Sequence, residues 1–447
     1  MQRKYSNFRK LPKKGIRKEQ LFHILNQYKK QDVDWPNGKI WGLVYYAGKE
    51  HTKLLSEVYE MFFYENALSP SAFPSLIRME AEIVSTLIRL LGGDKNSAGT
   101  MTSGGTESIL LAVKSYRDFF KEKKPQIDIP EMIIPITAHP AFLKAAHYFN
   151  VKPVIVPVDK DFKANTNAVD KACNKNTIMI VASSPSFPQG VIDPIYELGR
   201  LALDYGIGLH IDACLGGCFL PFLKKMGYEI PDFDLNVPGV TSLSADLHKY
   251  GYSAKGASAI LYKNKELRRY QFFVSSSWPG GLYASPSMLG TRPGGAIAAA
   301  WLALMSLGEN GYLDLVRETI NATNKLKSEI NKISGLNILG KPDMSVFSFT
   351  STNANIFAIA DRIEKKGWRI NRQTNPDSLH IIVTLNHIKV IDKFLEDLNT
   401  CVIEELKHPT KNQIRTRVII YDHEKNYDEI DDTREYLINI LEKNYSL

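Results

Sequence analysis

From about residue 76 to residue 310 the chain alternates between helical and extended patterning, and that alternation limits its fold more than any other feature. Apolar residues recur at three and four positions over Leu76–Leu91, Ile109–Phe120 and Ile195–Ala202, and again over Leu313–Ile333. Between them lie short β-rich runs at Met132–Ile136, Pro153–Val156, Thr177–Val181, Gly208–Ile211, Val240–Leu243 and Ser258–Leu261. Strands that alternate with helices predict βαβ units, hence an α/β fold whose mostly parallel sheet is covered on both faces. After a long helix near 311–333, the stretches Met344–Thr350, Ile356–Lys366 and Leu379–Thr384 predict a second, smaller α/β unit. The expected order is a basic extension (1–37), an N-terminal segment (38–100), a large domain (101–310), a small C-terminal domain (311–408) and a tail (409–447).

Charge and cysteine usage narrow the class. The chain of 447 residues carries a net charge of +8. Residues 1–18, however, hold Arg3, Lys4, Arg9, Lys10, Lys13, Lys14, Arg17 and Lys18 and no acid, so the rest of the chain is neutral. The basic excess therefore belongs to a leader that would make at most weak contact with an anionic membrane, and a nucleic-acid groove is not expected. Four cysteines are too few for a disulfide framework. Cys214 and Cys218 lie four apart with no further Cys or His at ligand spacing, so no metal site is expected. No apolar run reaches 18 residues, and the N-terminus lacks the apolar core of a secretory signal. The expected setting is soluble and reducing, the cytoplasm, with delivery into a host cell left open. The stretch Asp422–Glu435 holds seven acids against two bases and reads as a solvated face or tail.

Three short segments carry chemistry. In Thr102-Ser103-Gly104-Gly105-Thr106-Glu107-Ser108 two glycines allow a tight turn directly before a helix, whose free N–H groups can hold a phosphate; the same turn could also be purely structural. In Leu209-His210-Ile211-Asp212-Ala213 an apolar strand ends in a carboxylate at the edge where open α/β sheets bind ligands. Asp212 then either caps a helix or partners a cation such as a pyridinium nitrogen. In Ser244-Ala245-Asp246-Leu247-His248-Lys249-Tyr250-Gly251 a lysine follows a buried strand. It is a surface residue or, if buried, an amine able to form a Schiff base. Together the three supply a phosphate cradle, a pyridinium partner and a covalent lysine, which are the needs of pyridoxal phosphate.

These segments resemble the group II decarboxylase branch of the fold-type I pyridoxal phosphate enzymes. Further stretches are similar to the sphingosine-1-phosphate lyase family. They are Phe73-Pro74-Ser75, Met79–Val84, Phe187–Pro194, Tyr270–Val274, Trp278–Pro286 and Thr291–Gly295, and the resemblance runs from about Gly38 to Leu406. It implies a large domain with a smaller C-terminal one, in a homodimer whose sites draw on both chains, the segment 38–100 adding to the dimer and the entrance. Lys249 would hold the cofactor covalently and Asp212 would pair with its ring nitrogen. Gly105 and Thr106 would bind its phosphate with His248 nearby, and His139 would stack on the ring. Lys255 is implied at the substrate phosphate, with Tyr45 and Asn66 at the entrance, and Arg292 and Ser287 in a loop that reaches the partner's site. Ser69 and Gln189 stand where the lyases carry histidine, Pro140 where alanine is common and Leu247 where threonine is usual.

The implied reaction is retro-aldol cleavage of the C2–C3 bond of sphingosine 1-phosphate or a related long-chain base phosphate, giving a long-chain aldehyde and phosphoethanolamine. Lys249, Lys255 and Tyr45 are the alternatives for the base, besides the substrate phosphate itself. Trp41, Leu43, Tyr46 and Tyr283 are candidates for an acyl-chain channel. An amino-acid decarboxylase on the same fold is the alternative activity, and a non-catalytic scaffold the reading that an intact Lys249 argues against.

Overall fold

The computed structural model describes residues 10–410 and 433–445. Leader residues 1–9 and most of the acid-rich stretch 422–435 lie outside the described residues. Seven strands form the main sheet: β1 (Ala98–Thr102), β2 (Glu131–Pro135), β3 (Lys152–Val156), β4 (Thr177–Ser183), β5 (Gly208–Asp212), β6 (Val240–Ala245) and β7 (Ser258–Tyr262). Their order is β1-β7-β6-β5-β4-β2-β3, and only β7 runs antiparallel to its neighbours. Strands β4 and β5 are buried at every position, as expected of a sheet covered on both faces.

Six of these strands follow the β-rich runs of the sequence, whereas β1, with the sequence Ala-Gly-Thr-Met-Thr, has no such run. It is made by pairing: Gly99 lies opposite Leu261, and a Cβ at Gly99 would stand 2.8 Å from the Ile260 carbonyl oxygen. Only glycine lets the two backbones approach this closely.

A hairpin of β8 (Phe273–Ser275) and β9 (Tyr283–Ser285) follows. The long helix begins at Gly294, well before residue 311, and runs to Lys332 with a break at Gly308, whose φ is +57°. It leads into an antiparallel four-stranded sheet of β10 (Leu336–Ile338), β11 (Val346–Ser351), β12 (Asn371–Gln373) and β13 (Ser378–Ile382), in the order β10-β11-β13-β12. This sheet packs on the helices Ile356–Lys365 and Ile391–Lys407 and has its own core around Phe347, Phe349, Ile359, Trp368 and Phe394.

That second core also takes in Trp41, which corrects the expectation of a channel residue. Trp41 is buried, with its ring 4.3 Å from that of His387. The N-terminal strand-like segment is tied down there, since Trp41 N–H donates to the Arg369 carbonyl and Arg369 N–H to Lys39. A large aromatic in this segment gains more by entering a core than by lining an open site. Among the described residues no helix is long and apolar enough to cross a membrane.

Candidate functional site

Parallel strands end their carboxyl edges on one side of the sheet, and five segments meet there: Ser103–Glu107 after β1, His139 after β2, Pro185 and Phe187 after β4, Asp212–Leu215 at the end of β5, and Asp246–Lys249 after β6. They enclose a cavity of about 380 Å³, within the range that holds a small cofactor.

The cradle is built by the helix Gly105–Lys123. Its first turn is fixed by Glu107, which accepts from Ser103 N–H at 2.6 Å and from Met288 N–H at 2.9 Å. Gly105 admits no side chain, because a Cβ there would lie 2.8 Å from Cys214 Sγ and 3.0 Å from both Asp246 oxygens. The helix N-terminus is thus kept bare toward the cavity, where its N–H groups and dipole favour an anion.

Asp212 is buried, and its Oδ1 accepts from Cys214 N–H at 3.1 Å and Ser244 Oγ at 3.4 Å. His139 Nδ1 accepts from Ala141 N–H at 3.1 Å, which leaves the proton on Nε2 and sets the angle of the ring at the cavity wall.

Lys249 Nζ lies 3.0 Å from Asp246 Oδ2, and His248 Nε2 lies 3.6 Å from the same oxygen. Burial alone would favour the neutral amine of Lys249. The Asp246 carboxylate outweighs it, with Cys214, Tyr45 and Asp212 adding to the effect, and holds Lys249 well above the ordinary lysine value. Asp246 moves the other way: burial resists its charge, but Lys249 and then His248 hold it below the usual carboxylate range.

Near Lys249, Lys255 Nζ donates to the Leu43 carbonyl at 2.9 Å and sits 5.2 Å over the ring of Tyr45. The surrounding protein and then the Lys249 ammonium pull Lys255 below the ordinary lysine value. Burial pushes the Tyr45 phenol up to about 12, so it is a neutral donor near neutral pH.

The structure thus brings together Lys249, Asp212, His139, Gly105, Thr106 and His248, with Tyr45 and Lys255 beside them. Asn66 and Arg292 do not line this chain's own Lys249 cavity. Asn66 Oδ1 accepts from Arg292 N–H at 3.1 Å, while the Arg292 side chain binds both oxygens of Glu80 at 2.9 Å. Arg292 borders a separate narrow cleft behind Ser103 and Glu107. Leu43, Tyr46 and Tyr283 do not line the cavity, whose apolar wall is Ile109, Pro185, Phe187 and Leu215. Sequence reasoning passed over Asp246. The signal was present as an acid three residues before Lys249, but nothing in the sequence said that it is buried against the amine.

The residues fit pyridoxal phosphate. They offer a bare anion cradle that any side chain at position 105 would fill, a buried carboxylate anchored at a strand end, an imidazole of fixed orientation and a lysine amine facing the same cavity.

Comparison with known proteins agrees with that chemistry. The pyridoxal-dependent decarboxylase conserved domain matches residues 35–352. The sphingosine-1-phosphate lyase of Arabidopsis thaliana is 48% identical over 400 residues, spanning 88% of this chain and 73% of the plant protein. Sphingosine-1-phosphate lyase 1 of Rattus norvegicus is 45% identical over 402 residues, 89% of this chain and 70% of its own. Among solved structures, the sphingosine-1-phosphate lyase of Burkholderia pseudomallei superposes with a TM-score of 0.87 at 38% identity, covering 90% of this chain and 94% of its own.

Proposed function

The chain belongs to the sphingosine-1-phosphate lyase family, within the pyridoxal-dependent decarboxylases, and from that premise we propose how its residues carry the reaction. It is a pyridoxal phosphate-dependent lyase that cleaves the C2–C3 bond of sphingosine 1-phosphate to a long-chain aldehyde and phosphoethanolamine. The observation that carries the assignment of roles is the meeting of Lys249, Asp212, His139 and the Gly105 turn on one cavity. When bound, pyridoxal phosphate supplies the electron sink for breaking the carbon–carbon bond.

The protein's part is to hold and orient. Gly105, Thr106 and His248 would hold the cofactor phosphate, Lys249 would hold its aldehyde carbon, Asp212 would keep a proton on its ring nitrogen and His139 would cover its face. Lys255 would meet the substrate phosphate at the mouth, its ammonium a charge-assisted donor to an anion. Tyr45, held neutral, would donate to the substrate rather than take its 3-hydroxyl proton, which leaves that proton to Lys255, to Lys249 once it is free, or to the substrate phosphate.

The test is to incubate the pyridoxal phosphate-loaded protein with sphingosine 1-phosphate and assay both products. Long-chain aldehyde with equimolar phosphoethanolamine supports the reading; carbon dioxide from an amino acid and no aldehyde would replace it with a decarboxylase.

The protein is further proposed to work as a homodimer, in keeping with the exposed apolar hairpin residues Phe273, Val274, Trp278 and Leu282. Residues 1–18, exposed nearly throughout where described, are proposed to make weak contact with anionic lipid. Sedimentation of the full chain alone and with phosphatidylserine vesicles reads both: an active monomer, or no salt-sensitive vesicle binding, would remove the corresponding point.

A further inference from the structure

Asp246 and Asp212 are buried carboxylates on neighbouring strands, but their surroundings differ. Asp212 is tied to its own strand edge by the Cys214 N–H and the Ser244 hydroxyl. Asp246 is 2% exposed, places Oδ2 on the Lys249 amine, and leaves Oδ1 without a hydrogen-bond partner among the described residues. A buried carboxylate with an empty oxygen is costly unless a charge compensates it, and the nearest full charge is Lys249. The other groups near that amine are Asp212 at the end of β5 and Cys214 just after it, His248 after β6 on the same Asp246 oxygen, Tyr45 from the N-terminal segment, His139 on the cavity wall, and Lys255.

We propose that Asp246 is a positioning residue for Lys249: it aims the nitrogen into the cavity and holds its extra proton, so that the amine is freed only just before it bonds to carbon. This rests on the reading of Lys249 as the covalent lysine. To join an aldehyde, the ammonium first gives one proton to solvent through the open cavity. The amine then bonds to the carbonyl carbon, and its two remaining hydrogens leave with the carbonyl oxygen as water. Asp246 disfavours the first of these events and favours its reversal, so it governs the pH at which the lysine becomes a nucleophile.

The experiment needs neither substrate nor turnover. The full chain, before pyridoxal phosphate is added, is labelled competitively with acetic anhydride across a pH series, and the reactivity of Lys249 is read by mass spectrometry. In the natural protein the midpoint for Lys249 is expected above that of exposed lysines such as Lys53. In Asp246→Asn it is expected to fall by about one to three units, raising the labelling rate at pH 8 by about tenfold or more, and Asp246→Glu should restore the high midpoint. A natural midpoint at or below that of the exposed lysines, or an unchanged midpoint in Asp246→Asn, overturns the proposal.

Should Asp246→Asn fail to fold, the same pairing is read from stability. Lys249→Met should lower the denaturation midpoint by stranding Asp246, and adding Asp246→Asn should restore it. A double variant no more stable than Lys249→Met overturns the proposal. Aldehyde production is measured separately, so a failed labelling result leaves the lyase reading standing and the reverse also holds.

Discussion

One basic residue within the smaller sheet and one just past a strand of the main sheet each meet carboxylates, and they are treated differently. In the four-stranded sheet, Arg372 is 2% exposed and reaches Asp361 at 2.5 Å and Glu364 at 3.0 Å, both from the adjoining helix. Just past β6 of the seven-stranded sheet, Lys249 meets the single carboxylate of Asp246 and keeps 27% of its side chain exposed beside a cavity. The first cluster sets two anions on one nitrogen, Nη2, of a cation closed off from solvent, whose buried Nε and Nη1 have no hydrogen-bond partner among the described residues. The second leaves a cation reachable and an anion half satisfied. A pair that serves folding is enclosed on all sides, whereas a pair that serves chemistry must leave a side open, and it carries the resulting strain in charge.

The comparison can be broken at either end. The largest effect is expected from Lys249→Ala: turnover falls by at least about a thousandfold, and the protein no longer retains pyridoxal phosphate absorbance after gel filtration. The thermal midpoint, meanwhile, should move by only a few degrees. Turnover near the natural rate would end the assignment of Lys249. A smaller effect, of opposite kind, is expected from Arg372→Met. Removing the cation strands two carboxylates, at a cost of about 3–5 kcal/mol read by urea denaturation. Aldehyde production per folded molecule should stay unchanged. If Arg372→Met instead lowered turnover with stability intact, the line drawn between the two clusters would be wrong.

The same contrast explains which parts were legible in advance. Six of the seven main strands announce themselves as runs of β-branched and apolar residues, because a strand buried on both faces needs such residues along its length. Asp212, His248 and Lys249 were legible because each stands at or just past the end of such a run, and the Gly-Gly turn because two glycines directly precede a helical pattern. β1 was not legible, since its stability comes from pairing with β7. Trp41 misled because an aromatic beside a predicted entrance reads the same whether it lines a site or fills a core. The family resemblance implies Asn66 at the entrance and Arg292 in a loop that reaches the partner's site. Here they brace each other and Glu80, outside the Lys249 cavity.

The sequence by itself determined the α/β class, the positions of most strands and the residue types of a pyridoxal phosphate site, since periodicity and turn chemistry are local. Only the tertiary structure decided that five strand ends converge on one cavity, that Asp246 faces Lys249 at 3.0 Å, and that Trp41 belongs to the second core. The cavity and the Trp41 contact join residues far apart in the chain, while the Asp246–Lys249 pair, only three residues apart, depends on the burial that turns a nearby carboxylate into a strong influence on an amine.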